Sequence, residues 1–136
     1  MDKRTIAASF VASWAVLVAP QPAVAATPID GNWINPRGSV VVTTGECHAK
    51  LCGWVSWASA EAQADAADAG VTTLIGTELL QDYHASGRGR WTGHVFVPDM
   101  GKTFTSTLEQ IVANRLKISG CLLGSWFCKS QIWVRH

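Results

Sequence analysis

The chain has 136 residues, a length that suits one domain. Eleven basic and ten acidic residues leave a net charge of +1, so no basic surplus exists to neutralise a phosphate backbone or follow a strongly anionic membrane surface. That balance argues against a nucleic-acid-binding protein.

The first 25 residues have the three regions of a secretory signal peptide. Lys3 and Arg4 supply the positive start, and Ile6 to Val18 is apolar except for Ser9 and Ser13. Pro20 and Pro22 then end any helix, and Ala23-Val24-Ala25-Ala26 offers small residues for cleavage. The apolar run falls short of the ~20 residues that span a bilayer. No lipoprotein cysteine stands at the cleavage point, because the first cysteine is Cys47. The expected product is residues 26–136, a single soluble periplasmic domain with no membrane span. Without Asp2, Lys3 and Arg4 it carries nine basic and nine acidic residues.

Beyond that point the hydrophobic period is two, the signature of strands with one buried face. Gly31-Asn32-Trp33 reads as a short strand, and Ser39 to Thr44 is a valine–threonine run ended by Gly45. From Leu51 to Trp57, alternation puts Leu51, Gly53, Val55 and Trp57 on one face and Cys52, Trp54 and Ser56 on the other. Trp54 and Trp57 therefore diverge if the strand is regular. Ser59 can cap a helix and Gly70 can end it; the alanine-rich 58–69 stretch between predicts a short surface helix or a loop that buries little. Leu74 to Tyr83 reads as another strand.

Further along, Arg88 to Val97 sets Trp91, Gly93, Val95 and Val97 against Arg90, Thr92, His94 and Phe96. Phe104, Ser106 and Leu108 share a side. Leu116 and Ile118 face away from Lys117 and Ser119, and Ile132 and Val134 face away from Gln131, Trp133 and Arg135. Turn signals at Pro36-Arg37-Gly38, Gly45, Ser86-Gly87, Pro98-Asp99-Met100-Gly101 and Gly124-Ser125 separate these runs. About eight strands joined by hairpins predict an all-β fold. The expected form is a small antiparallel up-and-down barrel, whose closure removes exposed edges, with a two-sheet sandwich as the alternative.

Cys47, Cys52, Cys121 and Cys128 are an even set in an exported chain, so disulfides are expected. Four cysteines allow three pairings. The local pairs Cys47–Cys52 and Cys121–Cys128 are favoured because each brackets a strand-to-strand turn, where opposed positions bring Cβ atoms close. A four-thiolate zinc site is the rival, but its usual C-x2-C spacing is missing. No metal is expected.

Several segments together resemble one bacterial family. Gly31-Asn32-Trp33, Leu51-Cys52-Gly53 with Trp57, Trp91-Thr92-Gly93, Pro98 to Phe104 and Lys129-Ser130-Gln131-Ile132-Trp133-Val134-Arg135 look like the domain-of-unknown-function 2147 family. The likeness runs in order along nearly the whole chain after the leader. It implies an exported protein with a lipocalin-like β-barrel and brings no catalytic residues with it. The 58–69 segment departs from the wider family, where that region is richer in aspartate and proline. The early Gly-x-Trp and the arginine near the C-terminus also resemble lipocalins, and this likeness implies that Arg135 lies over Trp33. A guanidinium over indole contributes about 0.5–2 kcal/mol.

Seven tryptophans, six of them beyond the leader, exceed what a small core needs. Trp33, Trp54, Trp57, Trp91, Trp126 and Trp133 can line a cavity, or they can fill the barrel and cover its ends, because eight strands leave room for little more than side chains. Trp33, Trp57, Trp91 and Arg135 are the candidate ligand-binding residues. Catalysis has weaker support. Asp82 and His84 share a strand face and suit acid–base chemistry, yet such a pair is commonly a solvated strand end. His48 belongs to a tight turn, His94 falls opposite Trp91 in parity, His136 is terminal, and Asp99 suits a turn. No nucleophile, metal-ligand or phosphate-cradling motif occurs. The expectation is a non-enzymatic envelope protein, without cofactor, that binds a small apolar or amphipathic ligand. A structural or protein-interaction module with an envelope partner is the second reading, and a hydrolase the third.

Overall fold

A computed structural model describes residues 7–21, 28–122 and 127–136, with the backbone alone at Leu122 and Phe127. Lys3, Arg4, the Ala23–Ala26 cleavage segment, the Gly124-Ser125 turn and Trp126 lie outside the described residues. Residues 7–21 form neither helix nor strand and are exposed.

Eight strands follow, interrupted by one helix. They are β1 (Gly31–Ile34), β2 (Val40–Cys47), β3 (Lys50–Ala58), α1 (Ala60–Asp68), β4 (Glu78–Gly87), β5 (Arg90–Val97), β6 (Lys102–Val112), β7 (Arg115–Leu122) and β8 (Phe127–Arg135). Each strand pairs antiparallel with its sequence neighbour. The sheet closes where Trp33 and Ile34 meet Arg135 and Val134, so the architecture is a barrel and not a sandwich.

Because the strands alternate in direction, the turns divide between two ends. Residues 35–39, the α1 segment and residues 98–101 sit at one end. The approach to β1, the turns at 48–49, 88–89 and 113–114, and the C-terminus occupy the other.

The alternation read in the sequence places most of the interior. Gly93, Ser106, Leu108, Leu116 and Ile118 are buried along β5, β6 and β7. In β8 the inward face is the one holding Trp133; Ile132 and Val134 are exposed on the outside.

Bulges change the parity elsewhere, and two of them redirect aromatic side chains. Val42 pairs with Val55 while Val41 pairs with Trp57, so Ser56 is an extra residue in β3. Ala58 then turns inward, and Trp57 joins Trp54 on the outer face instead of following Leu51, Gly53 and Val55. Trp57 is 47% exposed.

The second bulge lies in β4. Gln81 pairs with His94 and His84 with Thr92, leaving two residues opposite Gly93 alone. Asp82 absorbs the kink with φ of 54°, and Tyr83 is driven into the barrel. Gly93 is required here, since a Cβ would lie 2.7 Å from the Tyr83 Cγ.

Strand β4 starts at Glu78 and not at Leu74. Leu74 is buried, but its carbonyl accepts from the Thr77 amide in a turn, and the Gly76 amide bonds to the Val55 carbonyl. The helix is the short surface element expected. The Ser59 hydroxyl accepts from the Ala62 amide at 3.1 Å, only Ala66 is buried, and Gly70 takes φ of 93° after the last turn.

Both local disulfides form. Cys121 and Cys128 are directly opposed, with Cα atoms 4.0 Å apart. Cys47 and Cys52 are diagonal rather than opposed, since Cys47 faces Lys50 and Cys52 faces Gly45; their Cα atoms are 5.9 Å apart. The two pairs belong to opposite ends of the barrel, which removes the four-thiolate zinc site.

Candidate functional site

The two ends of the barrel differ in chemistry. At the end near the C-terminus, Trp33 is fully buried and its Nε1 donates to the Ile29 carbonyl at 2.9 Å and to the Thr44 hydroxyl at 3.2 Å. The Thr44 hydroxyl in turn donates to the Ile29 carbonyl at 2.7 Å. Arg135 covers the indole, its guanidinium carbon 4.4 Å from the ring centroid. The same guanidinium donates to the carbonyls of Asp30, Pro28 and Ala113 at 2.9, 2.8 and 3.1 Å. Backbone from two separate segments, the approach to β1 and the β6–β7 turn, is thereby tied to one planar cation, and this end is shut.

The α1 end is open. A cavity of about 460 Å3 enters the barrel there. Its wall is formed by inward side chains of several strands, among them Leu79, Val95, Phe104, Ile118 and Trp133, with Gly120 leaving a gap between them. Leu74, Ala62 and Val40 continue the apolar surface toward the mouth. The rim is charged: Arg37 and Lys129 carry positive charge, and Glu61, Asp65 and Asp99 carry negative charge. An apolar hollow with a polar rim is the usual form of a small-molecule site.

The candidate ligand residues do not share this cavity. Trp33 and Arg135 build the closed end, and Trp57 stands on the outer wall. Trp91 is half-buried and borders a shallower depression of about 330 Å3 at the closed end, alongside Leu51, Tyr83 and His84. Of the wider tryptophan set, Trp133 does line the cavity, and its Nε1 donates to the Gln131 side chain at 3.0 Å.

Val95, Phe104 and Ile118 all lay on the alternating faces read from the sequence. What was missing was a signal for which end of each face meets the open mouth. Parity gives the face of a strand but not the height of a residue within the barrel.

The titratable side chains do not converge. Asp82 and His84 are exposed, and the Asp82 carboxylate lies 3.9 Å from the Lys50 ammonium at the surface. His48 and His94 are also exposed, as their positions predicted. Among the described residues, one group of potential metal donors comes within mutual reach, Cys47, Cys52 and Glu78. With its sulfurs joined as a disulfide it offers no thiolate pair to a metal.

Tyr83 is the group whose acidity departs clearly from the ordinary. Burial pushes its phenol well above the usual range, and the nearby Ser106 hydroxyl opposes that shift. No helix among the described residues is long and apolar enough to cross a membrane.

Comparison with known proteins agrees with this architecture. The family described as "uncharacterized protein conserved in bacteria (DUF2147)" matches residues 31–135. No curated protein matches the sequence. Among solved structures, the chain is similar to protein HP1028 from the human pathogen Helicobacter pylori, described as belonging to the lipocalin family. The match has a TM-score of 0.56 and 12% identity, covering 81% of this chain and 84% of that one. At that identity the likeness is one of fold. The chain belongs to the DUF2147 family and has a lipocalin-like barrel.

Proposed function

We propose that this member of the family is an exported, non-enzymatic carrier that holds a small apolar or amphipathic molecule in the open end of its barrel. The observation that carries this reading is the 460 Å3 hollow beside α1, apolar within and charged at its rim. An apolar group entering it leaves water while a polar group can stay among Arg37, Lys129, Asp99 and the acidic residues of α1. In this reading the ligand contacts Val95, Phe104, Ile118 and Trp133, while Trp33 and Arg135 hold the far end closed. Export to the periplasm is supported by the signal-like residues 1–25 and by two disulfides, which persist in oxidising compartments.

The test is native mass spectrometry of the protein after exposure to envelope extract, with tryptophan fluorescence titrations against fatty acids and an aromatic probe. A bound mass and a saturable fluorescence change are expected. Gly120→Leu, whose side chain would occupy the hollow that Gly120 lines, should abolish both. A clean apo mass and unmoved fluorescence would end the ligand reading.

The outer wall supports a second reading, a protein-interaction module of the envelope. Trp57, Val134 and Ile132 are exposed apolar side chains there, and the half-buried Ile34 and buried Val41 connect Trp57 to Val134 in one row across β3, β2, β1 and β8. Capture of a specific envelope protein that is lost in Trp57→Ser, with the ligand tests negative, would favour it.

A further inference from the structure

The β2–β3 disulfide has a carboxylate beside it. The Sγ atoms of Cys47 and Cys52 and a carboxylate oxygen of Glu78 all lie within 4.8 Å of one another. These residues come from three neighbouring strands, and the register sets them on one face. Cys52 pairs with Gly45, two residues before Cys47, and Glu78 pairs with Trp54, two residues after Cys52. All three therefore belong to the outer face of the barrel, with Cys52 buried and Cys47 and Glu78 half-buried. The Glu78 carboxylate forms no hydrogen bond or ion pair with a described residue. Partial desolvation of an unpaired carboxylate is costly, and disulfide sulfurs carry no proton to offer it.

Reduction changes what this cluster can do. The two sulfurs then become potential thiolates beside a carboxylate, a set of two sulfur ligands and one oxygen. Three protein ligands with a fourth position left to water suit zinc, and the carboxylate oxygen turns the set away from copper(I). A zinc ion holds each thiolate at about 2.3 Å, which sets the two sulfurs roughly 3.8 Å apart. The Cα spacing of 5.9 Å allows that separation by side-chain rotation, with the strand pairing intact. Cys121 and Cys128 have no third donor of this kind among the described residues.

We propose that Cys47, Cys52 and Glu78 form a redox-gated zinc site, closed to metal as the disulfide and assembled when a dithiol reduces it. One sulfur of the dithiol bonds to Cys47, the less buried cysteine, as the Cys47–Cys52 bond breaks. Its second sulfur then displaces Cys47, and the reductant leaves as a disulfide. Two electrons and two protons have passed to the cysteines. Zinc takes both sulfurs as thiolates and releases the two protons, and Glu78 supplies the third ligand.

The test is a zinc titration against a chromophoric chelator, with the protein oxidised or reduced and freed of reductant under nitrogen. Cys121→Ser/Cys128→Ser leaves this cysteine pair alone. One zinc per chain is expected in the reduced form and none in the oxidised form, and zinc should raise the melting temperature of the reduced protein. Glu78→Gln should weaken binding to the reduced form by at least about tenfold, since even outer partners of a metal site matter that much. Should the double serine variant fail to fold, the reduced full chain carries the test through Glu78→Gln. Zinc held by the other cysteine pair, or by an unfolded chain, does not depend on that carboxylate. Zinc bound equally well by Glu78→Gln, zinc bound by the oxidised form, a reduced melt unmoved by zinc, or no binding to the reduced protein would each overturn the site.

Discussion

Arg135 makes more of its neighbourhood than any other charged side chain described. It stacks on Trp33 and donates to three backbone carbonyls in two otherwise separate segments. Lysine has neither the planar face nor the fork to replace it. Arg135→Lys and Arg135→Ala should each destabilise the barrel by about 1–3 kcal/mol, read as a lower urea midpoint with altered Trp emission. The two interior glycines should behave oppositely. Gly93→Ala drives a methyl into Tyr83 and should cost about 1–3 kcal/mol. Gly120→Ala meets ordinary contact distance and should change stability by less than about 0.5 kcal/mol. Tyr83, the one tyrosine of the chain, also sets an alkaline limit. Its phenol is held protonated in the fold, so stability from that preference is complete below the unfolded value of about 10. Above that value stability falls by about 1.4 kcal/mol per pH unit, because the unfolded chain releases the proton first. Phenolate absorbance at 295 nm should therefore rise together with the loss of the fold, and Tyr83→Phe should flatten the alkaline slope.

Among the elements, the β2–β3 and β7–β8 hairpins are stapled and the closing seam is not. Each disulfide closes a loop of a few residues, for which the chain-entropy model gives about 2 kcal/mol. Reduction of both should lower the melting temperature measurably; an unchanged melt with all four thiols titratable would contradict this. The β1–β8 seam pairs two positions, whereas β5–β6 pairs eight. Amide exchange should accordingly be fastest along this seam among the strands. The bulges matter at the same scale. Ser56 turns Trp57 outward and the Asp82 bulge turns Tyr83 inward, so one extra residue in each strand decides which aromatic group fills the interior. No turn signal or break in composition marks either position, and that is why strict alternation misplaces Trp57.

At the scale of the whole molecule, the barrel is closed at one end by a cation on an indole and left open at the other beneath a short helix. The helix buries little except Ala66, which suits an element that borders an entrance and does not carry the core. Ser59→Ala should loosen it by about 1 kcal/mol, visible as faster amide exchange in α1 with the barrel melt nearly unchanged. The strands, the face that each presents over most of its length, the short helix and the local cysteine pairs were all legible in the residues. Closure was an expectation from hairpin count, and the cavity was not legible at all. Leu79, Val95, Phe104 and Ile118 come from four strands, and only the alignment of one strand against the next brings them around one hollow.

What the sequence by itself determined is therefore local: alternating side chains commit each segment to a strand, and turn residues and cysteines commit neighbours to hairpins. The tertiary structure alone decided the bulges, the closing pair of β1 with β8 and the position of the hollow. Those features depend on how strands far apart in the chain align in register, and a period of two is unchanged when one strand slides past another by two residues.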